Sequence, residues 1–338
     1  LFGFVAAAVS GFFLTAVPNW TGRAPIAGWL LAGLVGLWLL GRIGFFLSGT
    51  WPAWGVALTD GLYLPVLVCV VAREIIGGGN KRNLPVVGIF ALFATGNLLV
   101  HAERLGWGEV GAAGERLGLF PIALLVGLIG GRVTPAFTGN WLKAKGETRL
   151  PVPFGIIDKA AIGGLVLTLA FQTAQPDAPW TAVLALLTGL ALAGRLARWR
   201  TGATLADPLL AVLHLGYGWL ALAFVLIGLA GLTEAIPKSA ALHALTTGAI
   251  ATMIVAVSTR AALGHTGRPL AAGPGTQAVY VLITLAAVAR VAAPFLEAGS
   301  DALLWISAAA WSFGFLLYLA VYFPVLTGPR VDGGGEGA

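Results

Sequence analysis

Eleven apolar runs, each long enough to cross a lipid bilayer, occupy most of this chain: Leu1–Pro18, Ile26–Leu47, Trp54–Val71, Leu84–Val100, Leu117–Phe137, Ile156–Ala174, Trp180–Ala197, Leu209–Leu232, Ala240–Ala262, Ala278–Phe295 and Leu303–Leu326. A helix needs about 20 mostly apolar residues to span the hydrocarbon core, whereas barrel strands alternate over about ten. Charged residues make up only 10% of the 338, against roughly 25% in a soluble domain. So few charges cannot cover a water-soluble fold of this size. The expected fold class is therefore all-α, a polytopic transmembrane helix bundle forming one membrane domain over residues 1–327. The remaining Gly328–Ala338 reads as a flexible tail without site chemistry. The 48 glycines suit such a bundle, because small residues let membrane helices approach closely. Trp20, Trp51, Trp54, Trp107, Trp141, Trp180 and Trp199 stand near run ends, where an interfacial aromatic belt is expected. The lone Cys69 excludes a disulfide framework and reads as inert packing.

Lys and Arg give the orientation. With the side after the first run taken as inner, thirteen of the 20 fall on inner loops and tail, from Arg23 to Arg330. Five lie at outer ends (Arg42, Arg104, Arg116, Lys238 and Arg290), and Arg132 and Lys159 lie within runs. Basic residues concentrate on the cytoplasmic side, so the C-terminus is expected in the cytoplasm. The same rule explains the +6 net charge without invoking nucleic acid as a partner. The chain begins at Leu1 inside an apolar run, so an upstream helix is expected, making twelve in all.

A repeat runs through the first, fifth and ninth runs. Their inner ends read Thr15-AVPNW-Thr21-Gly22, Arg132-VTPAF-Thr138-Gly139 and Arg260-AALGH-Thr266-Gly267. Four crossings separate each from the next, which predicts three parallel four-helix units. The alternative is that Thr-Gly is simply a common helix ending in a glycine-rich chain. Counting 23 residues back from each Thr reaches His243 on the ninth run, Glu115 on the fifth, and a position just upstream of Leu1 on the first.

Imidazole is the commonest metal ligand, and polar groups at membrane depth are functional suspects. His243, one turn inside the outer end of its run, is either a ligand supported by Thr246 and Thr247 or a packing hydrogen bond to a neighbouring helix. His214, in LLAVLHLGYGW, is a second ligand candidate, with Tyr217 nearby. His101, beside Glu103 and Arg104, reads as interfacial, though it is placed to share an outer site with His243. His265 fills the aromatic slot of the repeat and reads as interfacial too. His243 and His265 lie about 33 Å apart along a helix, so they cannot share one metal. No HExxH or CxxC occurs, which argues against a zinc hydrolase. Arg132, Arg260 and Arg290, in or beside runs, must be paired or hydrated; Arg also matches carboxylates such as haem propionates. Arg290, on the same side as His243, is the better propionate candidate. Asp60 and Asp158 are candidates for proton movement, with Asp158 alternatively paired near Lys159.

The segments LFGFVAAAVSGFFLTAVPNWTGRAP, GRVTPAFTGNWL, HLGYGW and ALHALTTGAIATMIVAVSTRAALGHTGRPL resemble the NnrS family and are spread over most of the chain. The resemblance implies a bacterial inner-membrane protein of about twelve helices, associated with haem, expected to be b-type, with copper, and with the response to nitric oxide. In that family a His-Glu-Met usually precedes the LFGF segment, at the position the repeat points to. A looser analogy to the catalytic subunit of haem–copper oxidases makes His243 one axial haem ligand and an upstream His the other. The fifth and sixth runs lack the copper histidines of those oxidases, leaving Glu115, His101 and His214 as the nearest substitutes. The expected partners are the lipid bilayer, nitric oxide or another small molecule, and an unidentified electron donor. The expected function is a haem or haem–copper protein countering nitric oxide, as an oxidoreductase if it is an enzyme. The alternatives are a transporter or metal exporter, or a non-enzymatic sensor or metalloprotein assembly factor.

Overall fold

The computed structural model describes residues 1–331, and the end of the tail, residues 332–338, lies outside the described residues. Among the described residues all regular secondary structure is helical, with eleven helices long and apolar enough to cross a membrane. They are α1 (Phe4–Thr21), α2 (Gly28–Phe46), α3 (Ala53–Gly77), α4 (Leu84–Arg104), α5 (Gly111–Ala144), α6 (Ile156–Ala174), α7 (Pro179–Ala197), α8 (Pro208–Leu232), α9 (Lys238–His265), α10 (Pro274–Phe295) and α11 (Ser300–Thr327). Each predicted run overlaps one helix. The largest difference is α5, whose 34 residues extend past both ends of Leu117–Phe137. At about 51 Å it is longer than the ~30 Å hydrocarbon core. Hydropathy marks only the apolar middle, whereas backbone hydrogen bonds carry the helix on through Glu115, Arg132 and Lys143.

Contacts group the chain into two compact units, Leu1–Leu125 and Val126–Ala338. The division falls within α5, where a π-turn over Val126–Gly130 interrupts the α-helix. A second π-turn, Ala244–Ile250, interrupts α9 directly after His243.

In the first unit, α4 and the first half of α5 pack backbone to backbone. A Cβ on Gly96 would stand 2.6 Å from the carbonyl oxygen of Gly114, so only glycine permits that approach. Arg23 and Arg73 both donate to Glu74, at 2.6 and 2.8 Å. The Tyr63 hydroxyl meets Ser10 at 2.7 Å. In the second unit, α7 and α8 approach in the same way, a Cβ on Gly189 falling 2.5 Å from the Val225 nitrogen. Leu209, Leu213, Met253, Ala256, Val279 and Ile283 interleave α8, α9 and α10 into one apolar core.

The repeated Thr-Gly sites share a local bond. The hydroxyls of Thr21, Thr138 and Thr266 each donate to the carbonyl four residues earlier, at 2.9, 2.8 and 2.7 Å. After Thr21 and Thr266 the glycine turns left-handed (φ 67° at Gly22, 71° at Gly267), while α5 continues past Gly139 to Ala144. Helices α2 and α11 expose Trp29, Phe46, Trp305 and Phe313, side chains suited to contact with lipid tails. Trp54, Trp107 and Trp180 are exposed near helix ends, whereas Trp199, just past the end of α7, is only 2% exposed and packs against protein. Cys69 faces outward instead of packing inside.

Candidate functional site

His243 occupies the second turn of α9, and its backbone still follows α-helical spacing before the π-turn begins. Its Nδ1–H donates to the carbonyl of Ser239 at 2.6 Å. That bond fixes the neutral tautomer with the Nε2 lone pair directed away from its own helix, the arrangement that orients a ligating imidazole. Arg290, near the end of α10, lies close enough for its charge to act on this ring. Below the imidazole, the π-turn brings Gly248 onto the ring of Trp219, where a Cβ would sit 2.7 Å from the indole carbons. The buried indole N–H of Trp219 has no protein acceptor.

His214 lies about 27 Å of helix away from the α8 end that adjoins His243. It is 2% exposed, and both ring nitrogens meet hydroxyls at 2.9 Å, Nε2 on Thr138 and Nδ1 on Thr201. The Thr138 hydroxyl also lies 2.8 Å from the Thr134 carbonyl. Thr138 donating to that carbonyl and accepting from Nε2–H, with Thr201 donating to Nδ1, satisfies every group with a neutral imidazole. Trp199 packs edge-on between this histidine and Tyr217, its ring 4.5 Å from that of Tyr217.

Beside it lies a cluster that charge counting missed. Arg195, assigned to an inner loop from sequence, is 2% exposed. Its Nε donates to Asp158 at 2.6 Å, and Nη1 donates to the Gly127 carbonyl at 2.8 Å and to Tyr217 at 2.9 Å. Nη2 donates to the Gly131 carbonyl at 3.1 Å. Gly127 belongs to the π-turn of α5 and Gly131 follows it, so the guanidinium uses carbonyls that the altered spacing presents. The second oxygen of Asp158 accepts from Arg198 and from the Gly155 backbone, both at 2.8 Å. Asp158 is thus paired with two arginines from the end of α7, not with the neighbourhood of Lys159. A Glu or Asp at an N-terminal helix turn facing a basic pair on the next helix is the signal that sequence held.

In the first unit, His101 stands in the last turn of α4, as the sequence places it, and is enclosed by neighbouring helices. It is 3% exposed, and its Nε2 lies 2.8 Å from Asp60, itself 3% exposed. Arg42 donates to the other Asp60 oxygen, and Asn97 donates to the Asp60 carbonyl. Arg42 and Arg104 also stack over the ring of Phe45. One carboxylate on α3 thereby ties α2 to α4.

The remaining candidates stand apart. Arg260, 17 positions beyond His243 on α9, stacks 4.1 Å over Phe137 and lies within electrostatic reach of Asp207. Arg132 and Glu115 are exposed, and His265 is exposed at the end of α9. Among the described residues no three His, Cys, Asp or Glu side chains gather as a metal-binding group. The donors therefore do not compose a copper site. They do fit one side of a haem, with an imidazole of fixed tautomer and a guanidinium for a propionate.

The family described as NnrS protein matches residues 1–330. No curated protein and no solved structure matches the chain. With eleven apolar helices and a family match running almost end to end, this polytopic membrane protein belongs to the NnrS family of the nitric oxide response.

Proposed function

We propose that this chain is a haem-binding protein of the bacterial inner membrane that counters nitric oxide, with its C-terminus in the cytoplasm. His243 would hold the haem iron through its free imidazole nitrogen, and Arg290 would hold a propionate. The observation that carries this reading is the Nδ1–H bond from His243 to Ser239, which leaves Nε2 as a lone-pair donor beside a guanidinium. The family's association with haem and copper supports it. Haem, when bound, supplies an iron that takes nitric oxide and exchanges single electrons. The protein's own part is to hold the imidazole in one tautomer, balance propionate charge with Arg290, and surround the group with low-dielectric helix.

The test is a visible spectrum of the purified chain. A Soret band is expected, absent in His243→Ala and retained in His214→Ala, because both His214 nitrogens already serve hydroxyls. Arg290→Ala is expected to keep the band but weaken haem retention about tenfold, the scale of one charge-assisted hydrogen bond. A colourless preparation would sink the haem reading and turn attention to transport or metal export. Anaerobic consumption of nitric oxide with an electron donor then separates an oxidoreductase from a sensor or assembly factor.

A further inference from the structure

Four buried hydroxyls join α9, α10 and α11 near the end of the bundle that carries the C-terminus. Thr259 meets Tyr280 at 2.7 Å, and Thr276 meets Tyr322 at 2.9 Å. Thr259 also interacts with Tyr322, which links the two pairs. All four side chains are nearly inaccessible, from 0% at Thr259 to 8% at Tyr280. Thr276 stands in the first turn of α10 beside exposed Gly273 and Gln277, so the cluster reaches the edge of the helix layer.

What distinguishes these hydroxyls is freedom of polarity. A hydroxyl both donates and accepts, so a hydroxyl–hydroxyl bond can reverse direction, whereas one donating to a carbonyl cannot. Ser10 donates to the Ala6 carbonyl at 2.5 Å, which pins its pair with Tyr63. Thr188 donates to the Leu184 carbonyl at 2.8 Å, which pins its pair with Thr168. In the α9–α11 cluster only Thr259 has a carbonyl within reach, that of Ala256 at a long 3.2 Å.

The same face of α9 continues across the membrane. Thr252 stands two turns from Thr259, and its hydroxyl is buried without a protein partner. One further turn along is Gly248, against which lies Trp219 with its unpartnered N–H. A buried donor left unpaired costs about 1–3 kcal/mol, which an ordered water relieves. His243 lies at the far end of the helix.

We infer that α9 carries a proton path: Thr276, Tyr322, Thr259 and Tyr280 form a hydroxyl wire at one end, and bridging water held by Thr252 and Trp219 continues it towards the other. Each transfer forms one O–H bond as the next breaks, so every hydroxyl returns to its starting composition and no oxidant or reductant is required. The charged groups facing the wire are Asp207 and Arg260, both acting on Tyr280, with Tyr318 stacked on Tyr322. The path does not depend on haem.

The test places the purified full chain in liposomes enclosing a pH-sensitive dye, with a potassium diffusion potential set by valinomycin. Protein-dependent proton flux is expected, reduced about tenfold or more in both Tyr280→Phe and Thr259→Val. Tyr63→Phe, which removes a pinned pair, is expected to leave the flux at the wild-type rate. Gel filtration and thermal unfolding confirm that each variant is folded. Absence of flux above protein-free liposomes overturns the inference, as does equal flux in the wild type and both wire variants. Flux from a colourless protein would keep the path while removing the haem reading, and a haem-loaded protein without flux would do the reverse.

Discussion

Arg195 concentrates the energetic logic of the second unit in one side chain. A guanidinium at 2% exposure is tolerable because its donors find a carboxylate, two backbone carbonyls and a phenol. Removing one partner of a buried pair leaves the other charge uncompensated, which is strongly destabilising. Asp158→Asn is expected to cost about 3–5 kcal/mol, read as a lower unfolding midpoint in detergent. Arg195→Lys should also destabilise, because a compact ammonium cannot span acceptors placed for a planar fork. Sequence did not disclose this residue for a definite reason. Arg195, Arg198 and Arg200 follow one another at a run end, and three basic residues there read as an orientation signal. The partner of His101 was hidden similarly, since Asp60 is 41 positions away and only the folded chain joins them.

Helix by helix, the apolar runs were legible because the hydrocarbon core imposes one length on every crossing. The π-turns were not, since they leave composition unchanged. Neither was the hydroxyl face of α9, because Thr and Tyr barely move a hydropathy average and their partners sit on other helices. The turn after His243 makes its own prediction. Gly248→Ala would drive a methyl group into the Trp219 ring, with an expected loss of about 1–3 kcal/mol from overpacking. Thermal unfolding reads that loss, and Gly36→Ala, on α2 with open space around it, supplies the reference substitution.

For the molecule as a whole, the distribution of Lys and Arg predicts which end faces which compartment. Green fluorescent protein fused after the last residue is expected to fluoresce, and alkaline phosphatase fused there to stay inactive. The reverse pattern would invert the assignment of sides. The exposed Trp29, Phe46 and Trp305 predict that the chain stays monodisperse only in bilayer or detergent. The π-turn at Ala244–Ile250 bears on how such a gene tolerates change in length. Losing one residue from an ordinary membrane helix swings everything beyond it by about 100°. Here one residue is already in excess, so deleting a single codon within the turn would leave a regular helix that still spans the bilayer. It would also rotate His243 off its present bearing relative to Thr252 and Thr259. A lesion of one codon could thus yield a chain that inserts and folds yet has lost the alignment between the two ends of α9.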